Sequence, residues 1–447
     1  MYEKFLNIKS YNIGKIDFSQ PEILFEKHAS KPGSALLTGT GDKTNSEFSF
    51  MAIDPNLIVS YRDNLLHVNT ETGKIFNVWD WLKGFLNNTA FHKLPFPANI
   101  IGLVGYFSYE MCREIERLPK TTVDSYQAPL FQFLAYRCYY VFDNYSKQAW
   151  RIDIEYEREH SFNADVSDCQ DYSVSQIKNG LTREKYIHKV EKIQDYIRQG
   201  DVYEVNFTQQ INGRFIGNAF ALFKRMYAAN PAPFSCFLNL PDLKILSISP
   251  EMFLRAKGKT IETRPIKGTI KRGSNAVQDQ EKIHRLLASA KDQAELFMII
   301  DLLRNDLGKV SEIGSVFVKN PKKLEKFENV YHLVGCVESR LRGDSDYIDL
   351  IKATFPGGSI TGCPKIRTME IIDELETYSR NLYTGSILIM NRAFLNSSII
   401  IRTAIIKDDE IFLNSGGAVT IDSKPEEEYL EMKTKINNIL ALLEGHK

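Results

Sequence analysis

The chain has 447 residues, and its 56 Lys plus Arg are balanced by 56 Asp plus Glu. A net charge of zero offers no general electrostatic reason to bind nucleic acid or an anionic membrane. No run of eighteen apolar residues occurs, and the opening MYEKFLNIKS lacks the apolar stretch of a signal peptide, so the expected compartment is the cytoplasm.

In chain order, the first 175 residues read mostly as strands and turns, at 34–37, 48–53, 57–61, 100–109 and 135–143, with a helix at 78–87. Residues 155–180 are polar and acidic and predict a long surface connection. A helix is expected over 183–198, where Tyr186, Val190, Ile193 and Ile197 share one stripe and Gly200 marks the stop. Strands follow at 202–215, 234–239 and 244–249, then helices near 278–289 and 292–308. Pro364 opens a further helix to about Glu376. Segments 383–391, 396–407 and 410–415 alternate like antiparallel strands, and a last helix runs from near Pro425 to about Leu443. Strands and helices mix without a βαβ rhythm, which predicts an α+β fold with large antiparallel or mixed sheets. Neither GxGxxG nor GxxxxGK[ST] occurs, so nucleotide binding by those motifs is not indicated. The cysteines, Cys112, Cys138, Cys169, Cys236, Cys336 and Cys363, form no CxxC pair, which excludes a zinc knuckle and fits reduced thiols.

Several side chains carry candidate chemistry. Lys267 lies in Arg264-Pro265-Ile266-Lys267-Gly268-Thr269, where its amine is either a positioned nucleophile or part of a solvated turn. Asp292 and Glu295 fall three apart on one helix, and Glu428 and Glu431 repeat that spacing with Lys435 one turn later. Four carboxylates from two helices form an oxygen donor set suited to Mg²⁺; the same pattern also describes a solvated helix face. The loop Phe355–Lys365 is rich in Gly, Ser and Thr and runs into a helix N-terminus, which makes it either an anion cradle or an ordinary capped turn. Asn414 to Ala418 is a second small-residue loop of that kind. Arg402, inside the apolar run Ser398–Thr403, needs an anionic partner if its face is buried. His332 and Tyr383 read equally as structural residues on local grounds.

Together these stretches resemble the chorismate-utilising enzyme family. The matching segments are Gly200–Asn206, Ser249-Pro250-Glu251, Arg264–Thr269, Lys291–Asp306, His332-Leu333-Val334, Phe355–Lys365, Ile401-Arg402-Thr403 and Glu428-x-x-Glu431-x-x-x-Lys435, in the family's order. The resemblance implies two intertwined subdomains forming an α/β sandwich with the site between them. It divides the chain into an N-terminal region, 1–180, and a chorismate-binding catalytic region, 181–447. It also implies Mg²⁺ held by Glu295, Glu428 and Glu431, with Asp292 where relatives often carry an acid. Glu251 resembles the general acid that protonates the departing C4 hydroxyl. Thr361, His332, Tyr383, Arg402, the backbone at Gly416 and Gly417, and Lys435 resemble the groups that hold the substrate carboxylates.

Two positions discriminate among members. Water-adding members use a lysine base at the position of Glu204, so isochorismate and salicylate formation are not expected. Glu204 itself departs from the commoner Gln, leaving open whether it pairs with Lys267 or contacts the substrate edge. Ala418 likewise stands where many relatives have Gly. Members that aminate C2 usually carry Ala where this chain has Lys267, whereas Pro-Ile-Lys-Gly-Thr resembles the members that aminate C4. The implied reaction is addition of neutral Lys267 to C2, then displacement by ammonia at C4, without pyridoxal phosphate. The alternative is anthranilate formation, and a different class is a non-catalytic scaffold for an amidotransferase or tryptophan. No Gly-x-Cys-x-Gly loop occurs, so a separate glutamine amidotransferase subunit is the expected source of ammonia. Asn230–Phe234 resembles the effector stretch of anthranilate synthases, which makes tryptophan a candidate bound ligand there.

Overall fold

Alternating apolar residues assemble the chain into antiparallel ladders in a computed structural model, which describes residues 6–39, 47–162, 171–327 and 329–444. The fold is α+β, and the single parallel pairing among the described residues is the bridge between Val123 and Tyr378. Sheet order differs sharply from chain order. At one end, Phe317–Lys326 pairs with Val330–Arg340, which in turn pairs with Thr260–Arg264 and Ile266–Lys271. The ladder continues through Met252–Lys257, Phe394–Ile399, Ser386–Met390 and Leu103–Phe107. Phe131–Asp143 and Phe48–Arg62 come next, then Ala35–Thr38 and Phe234–Asn239. Beyond them lie Lys244–Ser249, Thr403–Lys407, Glu410–Val419 and Glu204–Gly217. Strands from the first 143 residues therefore separate two wings built from later residues. One wing carries Lys267, the other Glu204 and Gly417.

Helix ends follow local chemistry. Val78–Asn87 starts at Asn77, whose side-chain oxygen accepts the backbone N–H of Trp79 and Asp80. It buries Trp79, Trp81, Leu82, Phe85 and Leu86, each contributing roughly 1.5–3 kcal/mol of hydrophobic stabilisation. Arg183–Gln199 is capped by Thr182 and stopped by Gly200 at φ 84°, with Tyr186, Val190 and Ile193 buried as expected.

Four sequence expectations are corrected. Residues 155–180 are not one long connection: Gln148–Tyr156 and Tyr172–Asn179 are strands, the latter paired with Glu204–Gly217. Part of that segment, with Cys169, lies outside the described residues. Segments 48–53 and 57–61 form one strand, Phe48–Arg62, which continues through an irregularity between Pro55 and Leu57. Pro364 is the residue before the helix Lys365–Leu375, not its first helical residue.

The fourth correction positions the site. Residues 396–407 are not one strand. The chain leaves its ladder after Ile399, turns with Ile401 N–H donating to Ile399 O, and places Arg402 at φ 50°. It then joins the other wing, where Ile248 N–H donates to Arg402 O. A second crossing between the wings occurs at Pro250–Glu251, and Ile399 N–H donates to Glu251 O. Arg402 and Glu251 thus lie on adjacent strand crossings. Among the described residues no helix is long and apolar enough to cross a membrane.

Candidate active site

Lys267 opens the Ile266–Lys271 strand, opposite Leu333, and the register shifts before Thr269 pairs with His332. Gly268 makes that bulge at φ +71°, and a Cβ there would lie 3.1 Å from Asp292. The Asp292 side chain therefore packs over the backbone beside Lys267. The lysine is only 8 % exposed and Nζ donates to Glu204 Oε1 at 2.6 Å. Glu204 is fully buried at the start of its strand, opposite Cys363, and its Oε2 has no hydrogen-bond partner among the described residues. Burial alone would push the Lys267 ammonium down, but Glu204 and Glu295 outweigh it and raise its pKa above the ordinary value. This differs from the neutral amine expected from sequence. The resting lysine is charged because a carboxylate 63 residues away is folded against it.

Glu251 is 5 % exposed and receives a 2.5 Å hydrogen bond from Ser359 Oγ, in the 355–365 loop. Burial pushes its carboxyl up to about 7, opposed by Ser359, Lys267 and the backbone N–H of Ile266. A carboxylic acid at neutral pH is what protonation of a leaving hydroxyl requires. The acid form is present below about 7 and lost above it. The rate under saturating substrate is expected to fall as pH rises through that value, and Glu251→Gln should be slow and flat across the same interval.

The helical carboxylates gather around a second glycine. A Cβ at Gly417 would lie 3.3 Å from Glu428 Oε2, 3.4 Å from Lys435 Nζ and 4.0 Å from Glu431 Oε1. Lys435 donates to Gly416 O at 3.0 Å and pairs with Glu431 at 2.9 Å, which holds the Glu431 carboxyl below its ordinary range. Ser423 Oγ donates to Glu428 at 2.7 Å. Lys291 Nζ lies 3.9 Å from Glu295 and 3.7 Å from Glu428, linking the two helices. Burial nevertheless raises Glu428, and raises Glu295 to about 7. These carboxyls are short of positive charge, and their donor atoms are all oxygen, so they fit a hard divalent cation. Among the described residues, ligand atoms grouped within 4.8 Å of one another belong instead to Glu262, Cys336 and Glu338. That trio is a poor match for such an ion. Glu338 pairs with Lys319, and burial with Glu262 pushes the Cys336 thiol up to about 12.

The anion-binding candidates differ in readiness. Arg402 is half-buried, burial lowers its pKa, and no ion-pair partner faces its guanidinium among the described residues. His332 is buried, meets Thr269 Oγ1 through Nδ1 at 2.8 Å, and is pushed down to about 3 by burial and by Arg402. It is a neutral imidazole beside an uncompensated guanidinium. Arg402→Ala is expected to raise the substrate KM roughly ten- to hundred-fold, because a charged hydrogen bond contributes about 1.5–3 kcal/mol; steady-state kinetics reads it directly. Thr361 is fully buried, its hydroxyl donates to Gly357 O at 3.0 Å and its backbone N–H to Gly358 O, so either donor must turn to reach an anion. Tyr383 is buried, and its hydroxyl is held protonated by burial.

One structural centre was missed by sequence reasoning. Arg380 is 1 % exposed and pairs with buried Glu376 at 2.7 Å. Its guanidinium also donates to Ile360 O and Asn206 O, while Glu376 accepts from Thr208 N–H and Oγ. The pair ties the 355–365 loop to the strand of Glu204. Its i,i+4 spacing was a usable signal, although many exposed pairs share it. Asn230–Phe234 borders a separate cleft, lined by Thr38, Phe48, Pro233, Phe234 and Ser398.

Two strand crossings, a buried lysine, a carboxyl raised to about 7 and an acidic helix pair define an enzyme site for an anionic substrate. Residues 36–441 match the chorismate binding enzyme family, and the chain belongs to it. The aminodeoxychorismate synthase component 1 of Bacillus subtilis is 33 % identical over 443 residues, covering 93 % of each chain. That of Escherichia coli is 38 % identical over 356 residues, covering 78 % of each. Among solved structures, anthranilate synthase component I from Streptococcus pneumoniae superposes with a TM-score of 0.77 at 28 % identity, covering 88 % of this chain and 92 % of that one.

Proposed function

We propose that this chain converts chorismate and ammonia to 4-amino-4-deoxychorismate, the activity of an aminodeoxychorismate synthase component 1. The observation that carries the reading is Lys267, a buried lysine held by Glu204, with the carboxyl of Glu251 raised to about 7 beside it. The names of its relatives support the same product, and the word component supports a glutamine amidotransferase partner as the ammonia source. In this reading residues 181–447 supply the catalytic groups and 1–180 complete the sheet that holds them.

Arg402 and Lys435 bind the substrate carboxylates, with neutral His332, Tyr383, Thr361 and the backbone at Gly416 and Gly417 shaping their pockets. Lys267, once neutral, adds to C2 and the ring electrons shift toward C4. Glu251 gives its proton to the C4 hydroxyl, which leaves as water. Ammonia then bonds to C4, the electrons shift back, and the lysine leaves C2 as a neutral amine. The proton lost by the new C4 ammonium restores Glu251. The enol ether is untouched, so no pyruvate is released. Mg²⁺ on Glu295, Glu428 and Glu431, with Asp292 nearby, would neutralise the substrate ring carboxylate when bound.

Anthranilate formation is the second reading, favoured by the likeness to the Streptococcus pneumoniae enzyme. The two are separated by incubating chorismate with ammonium and Mg²⁺: aminodeoxychorismate without pyruvate supports the first, fluorescent anthranilate with pyruvate the second. A chelator should abolish turnover, and added Mg²⁺ should restore it.

A further inference from the structure

We infer that Lys365 is a positioning residue for proton delivery: its ammonium straps the first half of the 355–365 loop, which holds Ser359 against Glu251. The inference rests on the proposed role of Glu251 as general acid and names what keeps that acid aimed. Three observations carry it.

An ammonium has three protons, and Lys365 Nζ meets three acceptors. It donates to Thr354 O and Pro356 O at 2.9 Å each and to Asp306 Oδ2 at 2.5 Å, with its side chain only 13 % exposed. A side chain at the end of the loop thus grips two carbonyls at its start and closes the loop on itself. Thr354 is also the last residue of the helix Tyr347–Thr354, whose terminal carbonyls favour a cation. Secondly, the acceptor Asp306 lies one turn after Leu302 in the helix Ala290–Gly308. Leu302 packs on the backbone of Gly358, where a Cβ would lie 2.7 Å from it. Ser359 follows directly and donates to Glu251 Oε1 at 2.5 Å. One helix face therefore holds the strap and the residue beside Ser359 together.

Thirdly, the two halves of the loop have separate anchors. The later half is held by Arg380 on Ile360 O, by Asn206 N–H on Thr361 O and by Tyr203 N–H on Cys363 O. The bonds of Lys365 go to the start of the loop instead. Loss of the strap frees Ser359 while the backbone at Thr361, proposed to shape a substrate pocket, stays in place. The signature is a fall in kcat with KM retained. No proton moves to or from Lys365 in this role, which is purely geometric.

The test is steady-state turnover of chorismate with ammonium and Mg²⁺, read as aminodeoxychorismate formed. Lys365→Met made together with Asp306→Asn removes the strap without stranding a buried carboxylate. Its kcat should fall about ten- to hundred-fold, the scale of a small misplacement at a reacting group, with KM for chorismate within about two-fold of wild type. Asp306→Asn alone leaves both carbonyl bonds and should keep most of the rate. In a Glu251→Gln chain the same pair of substitutions should cost kcat nothing further, because their effect passes through that acid. A merely structural role would cost the same in both backgrounds. Equal losses in the two backgrounds, a wild-type kcat, or a raised KM at unchanged kcat overturns the inference. Should the Met–Asn variant fail to fold, Lys365→Gln, which keeps a shorter donor, is measured in the same two backgrounds against the same outcomes. A wild-type kcat in Glu251→Gln itself would remove the acid, and with it the reading beneath the inference, a result distinct from any Lys365 outcome.

Discussion

Lys267→Ala is expected to lower aminodeoxychorismate formation by about a hundred- to ten-thousand-fold, the range typical for loss of a positioned catalytic group. Two effects add. The nucleophile for C2 is gone, so nitrogen no longer has to enter at C4. In addition, Glu204 remains fully buried without the cation that neutralised it, and removing one member of a buried pair costs about 3–5 kcal/mol. The variant should therefore be both slow and less stable, and Glu204→Gln in the same chain should return stability without returning activity. Denaturant unfolding measures the first quantity and product chromatography the second. Any nitrogen that does add is expected at C2, in the space vacated by the side chain.

Arg380→Met should destabilise the protein by about 3–5 kcal/mol although it removes no group proposed to touch substrate. Its guanidinium satisfies Glu376, Ile360 O and Asn206 O, all in a buried setting. Methionine fills similar volume but leaves Glu376 uncompensated and two carbonyls without their donor. Because those carbonyls belong to the 355–365 loop and the strand of Glu204, activity should fall with stability. Replacing Glu376 as well, by Gln, should recover part of the loss, since the stranded charge is then absent. A thermal unfolding series of the two single variants and the double variant reads this coupling.

What could be read from sequence depended on the range of the forces involved. The helix Val78–Asn87 and the strands Phe234–Asn239 and Lys244–Ser249 match their expected bounds, because caps, turns and alternation are local signals. The helices Ala219–Ala229 and Tyr347–Thr354 carried such signals too, in the Asn218 cap and the Asp346–Asp349 capping box, and were overlooked. The break at residues 400–402 left no local trace. Ile-Ile-Ile-Arg-Thr has ideal strand composition, and hydrogen bonds to Glu251, Thr384, Gly385 and Ile248 divert it. The same limit applies at the site. Spacing suggested that Glu428, Glu431 and Lys435 share a face, and they do meet around Gly417. The resemblance left open whether Glu204 pairs with Lys267 or contacts the substrate edge; the pairing found depends on the two wings closing on each other, which no local signal reports.

The position of the new nitrogen is the decisive quantity. Chorismate should be incubated with the protein, Mg²⁺ and isotopically labelled ammonium, and the product ring examined by NMR. The account predicts labelled nitrogen bonded to C4, with the enol ether intact and no pyruvate in solution. Label at C2, or anthranilate accompanied by pyruvate, would contradict it.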